Sequence, residues 1–118
     1  MEILEDIILR RKGGKTSLKI IHLLLDTPCN INQIAKIMNI NYSTVNYHVK
    51  VLVENKILVK KSEGYGALYM VSSSLRKNME QYNNVKRELE KRINMLQEAD
   101  KKWEVKVLKT TKKVLHQI

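Results

Sequence analysis

Apolar residues in the N-terminal half of the chain recur every three or four positions, the spacing of amphipathic helices. A short first helix is predicted, with an apolar stripe at Ile3, Leu4, Ile7 and Ile8. A second helix follows Gly13-Gly14, is capped by Thr16 or Ser17, and is stopped by Pro28. Its inward face is predicted to consist of Leu18, Ile21, Leu24 and Leu25.

Two more helices are predicted on either side of a tight turn, Asn39–Asn41. Asn32 has the side chain of an N-cap for the first of them. The inward residues of that helix are expected to be Ile34, Ile37 and Met38. The next helix, Asn41–Asn55, is capped by Asn41 and has a buried stripe of Val45, Val49 and Leu52. Its opposite face is polar and carries Ser43, Asn46, Tyr47 and Lys50. Ser, Asn and Tyr are poorer helix formers than the Glu, Lys and Gln of an ordinary solvated face, so their grouping indicates a role beyond solubility.

After Asn55 the pattern changes to that of a β-hairpin. Ile57–Lys61 and Ala67–Val71 are rich in β-branched and aliphatic residues, and Ser62–Gly66 between them contains two glycines. Two antiparallel strands with a short loop are therefore predicted.

From Ser73 to the end the chain has neither Gly nor Pro, and one long helix is predicted. Alternate steps of four and three residues from Leu75 reach mostly apolar or aromatic residues, which is the heptad spacing of a coiled-coil seam. The seam residues predicted to dimerise are Leu75, Met79, Tyr82, Leu89, Ile93, Leu96, Trp103 and Val107. A helix this long cannot bury its stripe against so small a domain, so a second copy is its simplest partner. The alternatives are a helix folded back onto the domain or one that frays after Asp100. The predicted domains are residues 1–72 and 73–118.

The charge balance points to a polyanionic partner. The 118 residues include 22 Lys and Arg against 12 Asp and Glu, a formal net charge of +10. Nucleic acid is the leading candidate, an anionic membrane surface is the second, and simple solubility is the alternative. Six lysines and one glutamate fall between Lys101 and Ile118. That basic end can rest on a nucleic-acid backbone or merely face solvent.

Cysteine usage and hydropathy indicate a cytoplasmic protein. The single cysteine, Cys29, excludes an intramolecular disulfide and suggests a reducing compartment. The N-terminal stretch carries acidic residues before any base and has too short an apolar run for a signal peptide. No stretch approaches the length of a membrane-spanning helix.

The order of helix, tight turn, helix and hairpin fits a helix-turn-helix unit followed by a wing. The stretches "STVNYHVKVL", "KILVKK" and "GALYMV" resemble the winged helix-turn-helix core of ArsR- and MarR-type prokaryotic transcription regulators. The resemblance covers roughly Ser17 to Ser72. It implies a mainly α fold with a small β-hairpin wing, to which the long C-terminal helix is added.

The resemblance also implies that Asn41–Asn55 is the recognition helix and enters the DNA major groove. The predicted DNA-binding residues are Tyr42, Ser43, Thr44, Asn46, Tyr47, Lys50, Lys60, Lys61 and Tyr65. Their chemistry agrees, since Asn pairs bidentately with adenine and Ser, Thr and Tyr bond phosphates or base edges. Tyr42 and Tyr47 can instead pack on neighbouring helices. Family members commonly have Gly just before the first wing strand, and Asn55 is expected to take that left-handed position here.

The sequence does not predict a metal site or an enzyme. The Cys-x-Cys and Asp-x-His patterns of ArsR-type metal sensors are missing, and His22, Cys29, His48 and His116 are isolated. No phosphate loop, nucleophile motif or close acid pair appears, so no cofactor is expected. Nothing in the sequence identifies a small-molecule effector.

These features together predict a homodimeric, sequence-specific regulator of transcription that binds double-stranded DNA, with repression as its simplest mode. Two alternatives remain open. A winged helix can serve as a protein-interaction module, and a basic chain can bind nucleic acid without sequence preference.

Overall fold

The computed structural model describes the backbone of residues 1–116 and the side chains of residues 1–99. Its elements, in chain order, are α1 (Glu2–Glu5), a π-helical turn (Asp6–Arg10), α2 (Gly14–Asp26), α3 (Ile31–Met38), α4 (Tyr42–Glu54), β1 (Leu58–Lys60), β2 (Tyr69–Val71), α5 (Ser73–Arg76) and α6 (Met79–His116). The chain forms two compact units, Met1–Lys86 and a second that begins at Arg87. Among the described residues, none of the helices combines the length and apolarity needed to cross a membrane.

A pair of glycines, Gly13 and Gly14, connects the π-helical turn to α2. Gly13 has a φ of +86°, which a residue with a Cβ rarely adopts, and it caps α2 without a side chain. A Cβ on Gly14 would lie 2.0 Å from the carbonyl oxygen of Ile8, so only glycine fits there. The prediction that Thr16 or Ser17 caps α2 was wrong, because the helix already begins at Gly14. Pro28 does follow the end of α2, as predicted.

α3 begins with a capping box, and its cap lies two residues earlier than predicted. The Asn30 side chain accepts a hydrogen bond from the Gln33 amide at 2.8 Å, and the Gln33 side chain accepts one from the Asn30 amide at 2.8 Å. Asn32 therefore lies inside the first turn and is not the cap. Ile34 is fully buried as predicted, but Ile37 is 62% exposed and does not face the core.

The core of the first unit is aliphatic and is centred on α2 and α4. The predicted stripe of Val45, Val49 and Leu52 is completely buried. Other buried side chains of this unit come from α1, α2, the wing, α5 and the start of α6, among them Leu4, Ile20, Ile21, Leu24, Ile57, Leu58, Leu75 and Tyr82. Burial of this stripe holds α4 in place and leaves its other side to solvent.

The wing is the predicted antiparallel hairpin, although its strands are shorter than predicted. Leu58 pairs with Val71, Val59 with Met70 and Lys60 with Tyr69. An isolated bridge joins Tyr69 to Cys29, with hydrogen bonds of 2.8 and 3.2 Å between their backbones. This bridge attaches the wing to the segment between α2 and α3.

The left-handed residue before the wing is Lys56 and not Asn55. Lys56 has a φ of +60°, whereas Asn55 has a φ of −93° and uses its side-chain amide to donate to the Val51 carbonyl oxygen at 2.8 Å. The prediction was therefore wrong by one residue. Asn55 ends α4 through its side chain, and the chain reverses at the next position.

The helical region after the wing is divided into α5 and α6, so the helix predicted from Ser73 is not continuous at its start. Ser72 caps α5, with its Oγ accepting from the Leu75 amide at 3.1 Å. α6 begins at Met79 and continues to His116 without a break at Asp100. Its first turns belong to the first unit, where Tyr82 and Val85 are buried. Gln81 also exchanges two hydrogen bonds of 2.6 Å with Met1.

Candidate nucleic-acid interface

The side of α4 opposite its buried stripe is a polar, aromatic surface. Tyr42 is 46% exposed and Tyr47 is 66% exposed, so neither is covered by a neighbouring helix. Asn46 is half-buried, and the remaining members of the surface are exposed: Ser43, Thr44 and Lys50. The structure thus brings six of the predicted DNA-binding residues onto one helix surface.

One side chain on the flank of α4 contacts the start of α2, in addition to the packing of the buried stripe. His48 lies on the flank of α4, and its Nδ1 is 3.2 Å from the Oγ of buried Ser17. Its ring also covers Gly13, where an added Cβ would lie 2.7 Å from the imidazole Cε1. Tyr47 meets the same ring edge-on, with centroids 5.4 Å apart. This role of His48 was not predicted from the sequence, because nothing local to "NYHVK" indicates a contact with the glycine 35 positions earlier.

The wing carries the other three predicted residues. Lys60 and Lys61 are exposed on or beside β1, and Tyr65 at the tip is 92% exposed. Lys60 lies 3.4 Å from the carboxylate of Glu63, an exposed pair that contributes little to stability. The amide Nδ2 of Asn32 donates to the Tyr65 hydroxyl at 3.3 Å. That bond ties the tip of the wing to α3.

A cleft separates the wing from α4, and it has a cavity volume of about 230 Å³. We call it the α4–wing cleft. The residues along it that carry chemistry are Asn32, Tyr42, Asn46, Lys50, Lys60 and Tyr65. Five of these six were predicted as DNA-binding. Asn32 was missed as a functional candidate, because its partner Tyr65 is 33 positions away in sequence.

Two burial effects on titratable groups are found in this unit. Burial lowers the pKa of His48 below its ordinary value, which favours the neutral imidazole. Burial raises the pKa of the Cys29 thiol, which keeps it protonated and unreactive. In the part of the chain whose side chains are described, no group of three or more His, Cys, Asp or Glu residues is arranged to hold a metal ion.

The residues predicted to dimerise divide into three groups. Leu75 and Tyr82 are buried within the first unit, so their apolar character does not require a partner. Met79, Leu89 and Ile93 are half-buried, and Leu96 is 67% exposed. Trp103, Val107 and the lysines of the basic end lie outside the residues whose side chains are described.

Comparison with known protein families agrees with this geometry. Residues 14–58 match the family described as bacterial regulatory protein, arsR family. This segment is similar to the helix-turn-helix domain of that family. It contains α2, α3, α4 and the first residue of β1, so the exposed polar surface of α4 lies inside it. The wing residues Lys60, Lys61 and Tyr65 follow the matched segment.

One curated relative is an uncharacterised HTH-type transcriptional regulator of Methanocaldococcus jannaschii, 32% identical over 74 residues. The match covers 63% of this chain but only 19% of that protein's length. The match supports a helix-turn-helix domain in this chain.

Solved structures show the same fold. A probable transcriptional regulator from Pseudomonas aeruginosa matches with a TM-score of 0.60 and 19% identity, covering 76% of this chain and 70% of that one. Reduced HlyU from Vibrio cholerae matches with a TM-score of 0.53 and 18% identity, covering 66% of this chain and 79% of that one. These likenesses show that the chain has a winged-helix fold.

Proposed function

We propose that the protein is a transcription regulator that binds double-stranded DNA with sequence preference. The observation that carries this proposal is the two-sided character of α4 in a segment similar to the ArsR-family helix-turn-helix domain. Its buried stripe holds it in the core, and its opposite surface presents Asn46, Tyr47 and Lys50 to solvent. In a helix-turn-helix protein such a surface enters the major groove, where amide and ammonium groups meet base edges.

The other proposed contacts position the protein on the duplex. Ser43 and Thr44 at the start of α4 are exposed hydroxyls suited to phosphate oxygens. Lys60, Lys61 and Tyr65 on the wing would meet the flanking backbone or minor groove. The net charge of +10 favours such contacts, which release counterions from DNA.

We also propose that the regulator is a homodimer joined through α6, with two copies of α4 on half-sites about one helical turn apart. The support is the apolar seam that includes Leu89, Ile93 and the largely exposed Leu96. Repression by occupying a promoter is the simplest mode for such a dimer. A protein that acts on the chromosome in this way would be located in the cytoplasm.

The test is selection of bound fragments from random double-stranded DNA. We expect an enriched, near-palindromic consensus, because a two-fold dimer presents the same surface twice. The double substitution Asn46→Ala and Tyr47→Ala should remove the preference while leaving the fold intact, since both side chains lie on the solvent side of α4.

Titration over a salt series separates the alternatives. A binder driven by charge alone loses affinity with salt equally for all sequences, whereas a regulator keeps its preference for the selected site. Equal affinity for selected and random DNA at every salt concentration would contradict sequence-specific recognition. Absence of DNA binding at low salt would favour a protein-interaction module.

A further inference from the structure

The α4–wing cleft combines ring, amide and ammonium side chains around one cavity. Tyr42 and Tyr65 contribute aromatic rings, and these residues are 46% and 92% exposed. Asn46 contributes an amide, and Lys50 and Lys60 contribute positive charge. Duplex DNA would contact both sides of this cleft, and in the absence of DNA the cleft is open to a smaller ligand.

The size of the cleft sets the size of its occupant. Its volume is about 230 Å³, whereas a cavity of about 150 Å³ accommodates one benzene ring. Pockets for drug-sized ligands are larger, at roughly 300–1,000 Å³. The cleft therefore fits a single planar ring system, up to the size of a purine, together with a small polar group.

We propose that the α4–wing cleft binds the base of a nucleotide, with the sugar and phosphate extending beyond the cavity. The base would stack on the rings of Tyr42 and Tyr65, since every base has a π-face that an aromatic side chain can cover. The Asn46 amide can donate to and accept from a base edge, most favourably adenine. Lys50 and Lys60 would attract the phosphate, with the Glu63 carboxylate as the competing partner of Lys60.

One side-chain contact helps to position the tip of the wing beside the cleft. Asn32 bonds the Tyr65 hydroxyl at 3.3 Å, which places the tip of the wing beside α3 and across the cleft from α4. Because Tyr65 is 92% exposed, its ring remains available to a ligand while its hydroxyl is bonded.

Nucleotide binding as such does not rest on the proposed function, but its consequence for DNA does. Tyr42, Asn46 and Lys50 belong both to the cleft and to the surface proposed to enter the major groove. A nucleotide in the cleft would therefore compete with duplex DNA for these side chains. Such competition would make a nucleotide a releasing ligand for the regulator.

The first experiment titrates the full chain, without DNA, by calorimetry with adenosine, guanosine, cytidine and uridine 5′-monophosphates and with inorganic phosphate. We expect saturable binding of the nucleotides, tightest for a purine, and binding of phosphate at least tenfold weaker. Tyr42→Ala should weaken nucleotide binding about 5- to 150-fold, the effect of losing one stacked base. Tyr42→Phe keeps the ring and should retain most of the affinity.

Tyr47→Ala is the matched control, because Tyr47 lies on the same helix and is exposed but does not line the cleft. It should leave nucleotide affinity unchanged. Circular dichroism and thermal melting confirm that each variant is folded. A short single-stranded oligonucleotide distinguishes the source of the nucleotide. If it binds more tightly than the monophosphates and depends on Tyr42, the site takes a base within a strand, whereas tighter binding of a monophosphate assigns a free nucleotide.

Three results would overturn the proposal. They are no saturable binding of any nucleotide or oligonucleotide, binding no tighter than that of phosphate, and equal losses from Tyr42→Ala and Tyr47→Ala. Binding to selected duplex DNA is measured separately. A protein that binds the duplex but no nucleotide rejects this inference alone, and one that binds a nucleotide but no duplex rejects the proposed function alone.

Discussion

Lys56 stores backbone strain at the junction between α4 and the wing. Its φ of +60° lies in the left-handed region, which costs a residue with a Cβ about 1–2 kcal/mol. The conformation persists because the residues around it are fixed. The Lys56 amide donates to Val53, its carbonyl oxygen accepts from Ser72 Oγ at 2.7 Å, and the next residue, Ile57, is buried. The turn that aims the wing is thus set by neighbours rather than by a glycine.

Lys56→Gly should raise the free energy of unfolding by about 1 kcal/mol, because glycine adopts the left-handed conformation without strain. The greater conformational entropy of glycine in the unfolded chain offsets only part of this gain. Urea denaturation followed by circular dichroism measures the change. Asn55→Gly is the matched control and should lower stability, since it removes the amide bond to Val51 from a residue with negative φ. Stabilisation by Asn55→Gly and not by Lys56→Gly would contradict this account of the turn.

His48 makes the stability of the first unit depend on pH. Burial lowers its pKa in the folded state, so the unfolded chain binds the proton more readily. The stability that neutral His48 contributes is present above the unfolded pKa of about 6.5. It is lost as the pH falls through the lower folded pKa.

Urea midpoints between about pH 5 and pH 8 should therefore fall toward acid, and His48→Gln should reduce that slope. His22→Gln, at an exposed position on α2, removes one histidine without touching the Ser17 contact and serves as the control. A slope that His22→Gln reduces as much as His48→Gln does would exclude His48 as its source.

At the scale of elements, the spacing of apolar residues predicted which face of a helix is buried. The spacing of Val45, Val49 and Leu52 was enough to orient α4, because all three side chains must leave water together. The same reasoning wrongly predicted that Ile37 faces the core. A stripe shows which residues can face a core but not how many of them the neighbouring elements cover. Asn32 and Tyr65 show another limit. Their contact depends on how the wing folds back on α3, which local sequence does not encode.

Two nearby asparagines have the side chain of an N-cap for α3, and only Asn30 takes that position. Asn30→Ala should cost about 1 kcal/mol of unfolding free energy, because it leaves the Gln33 amide without its capping acceptor. Asn32→Ala, within the first turn, should change stability by less than half of that, since its exposed bond to Tyr65 contributes little. Thermal melting of both variants is the measurement. A larger loss from Asn32→Ala would contradict the observed cap.

For the whole molecule, the heptad seam has to be divided between residues that pack within one copy and residues that remain for a second copy. Leu75 and Tyr82 lie on the predicted seam, yet both are buried in the core of the first unit. Sequence periodicity could not distinguish a helix that packs on its own domain from one that packs on a second copy, because both bury the same spacing. The seam left for a partner therefore begins beyond Lys86, where Leu89, Ile93 and Leu96 continue it.

Leu96 offers the sharpest test of dimerisation, because a side chain this apolar is 67% exposed in one copy. Leu96→Glu would place a charge inside the proposed helix pair, twice per dimer, and should raise the dimer dissociation constant by at least about 30-fold, equivalent to about 2 kcal/mol. Asn94→Glu adds the same charge to an exposed position off the seam and should leave the dimer intact. Sedimentation equilibrium over a range of concentrations measures both. A parent chain that is monomeric throughout, or a dimer that Leu96→Glu does not weaken relative to Asn94→Glu, would show that α6 does not join two copies through this seam.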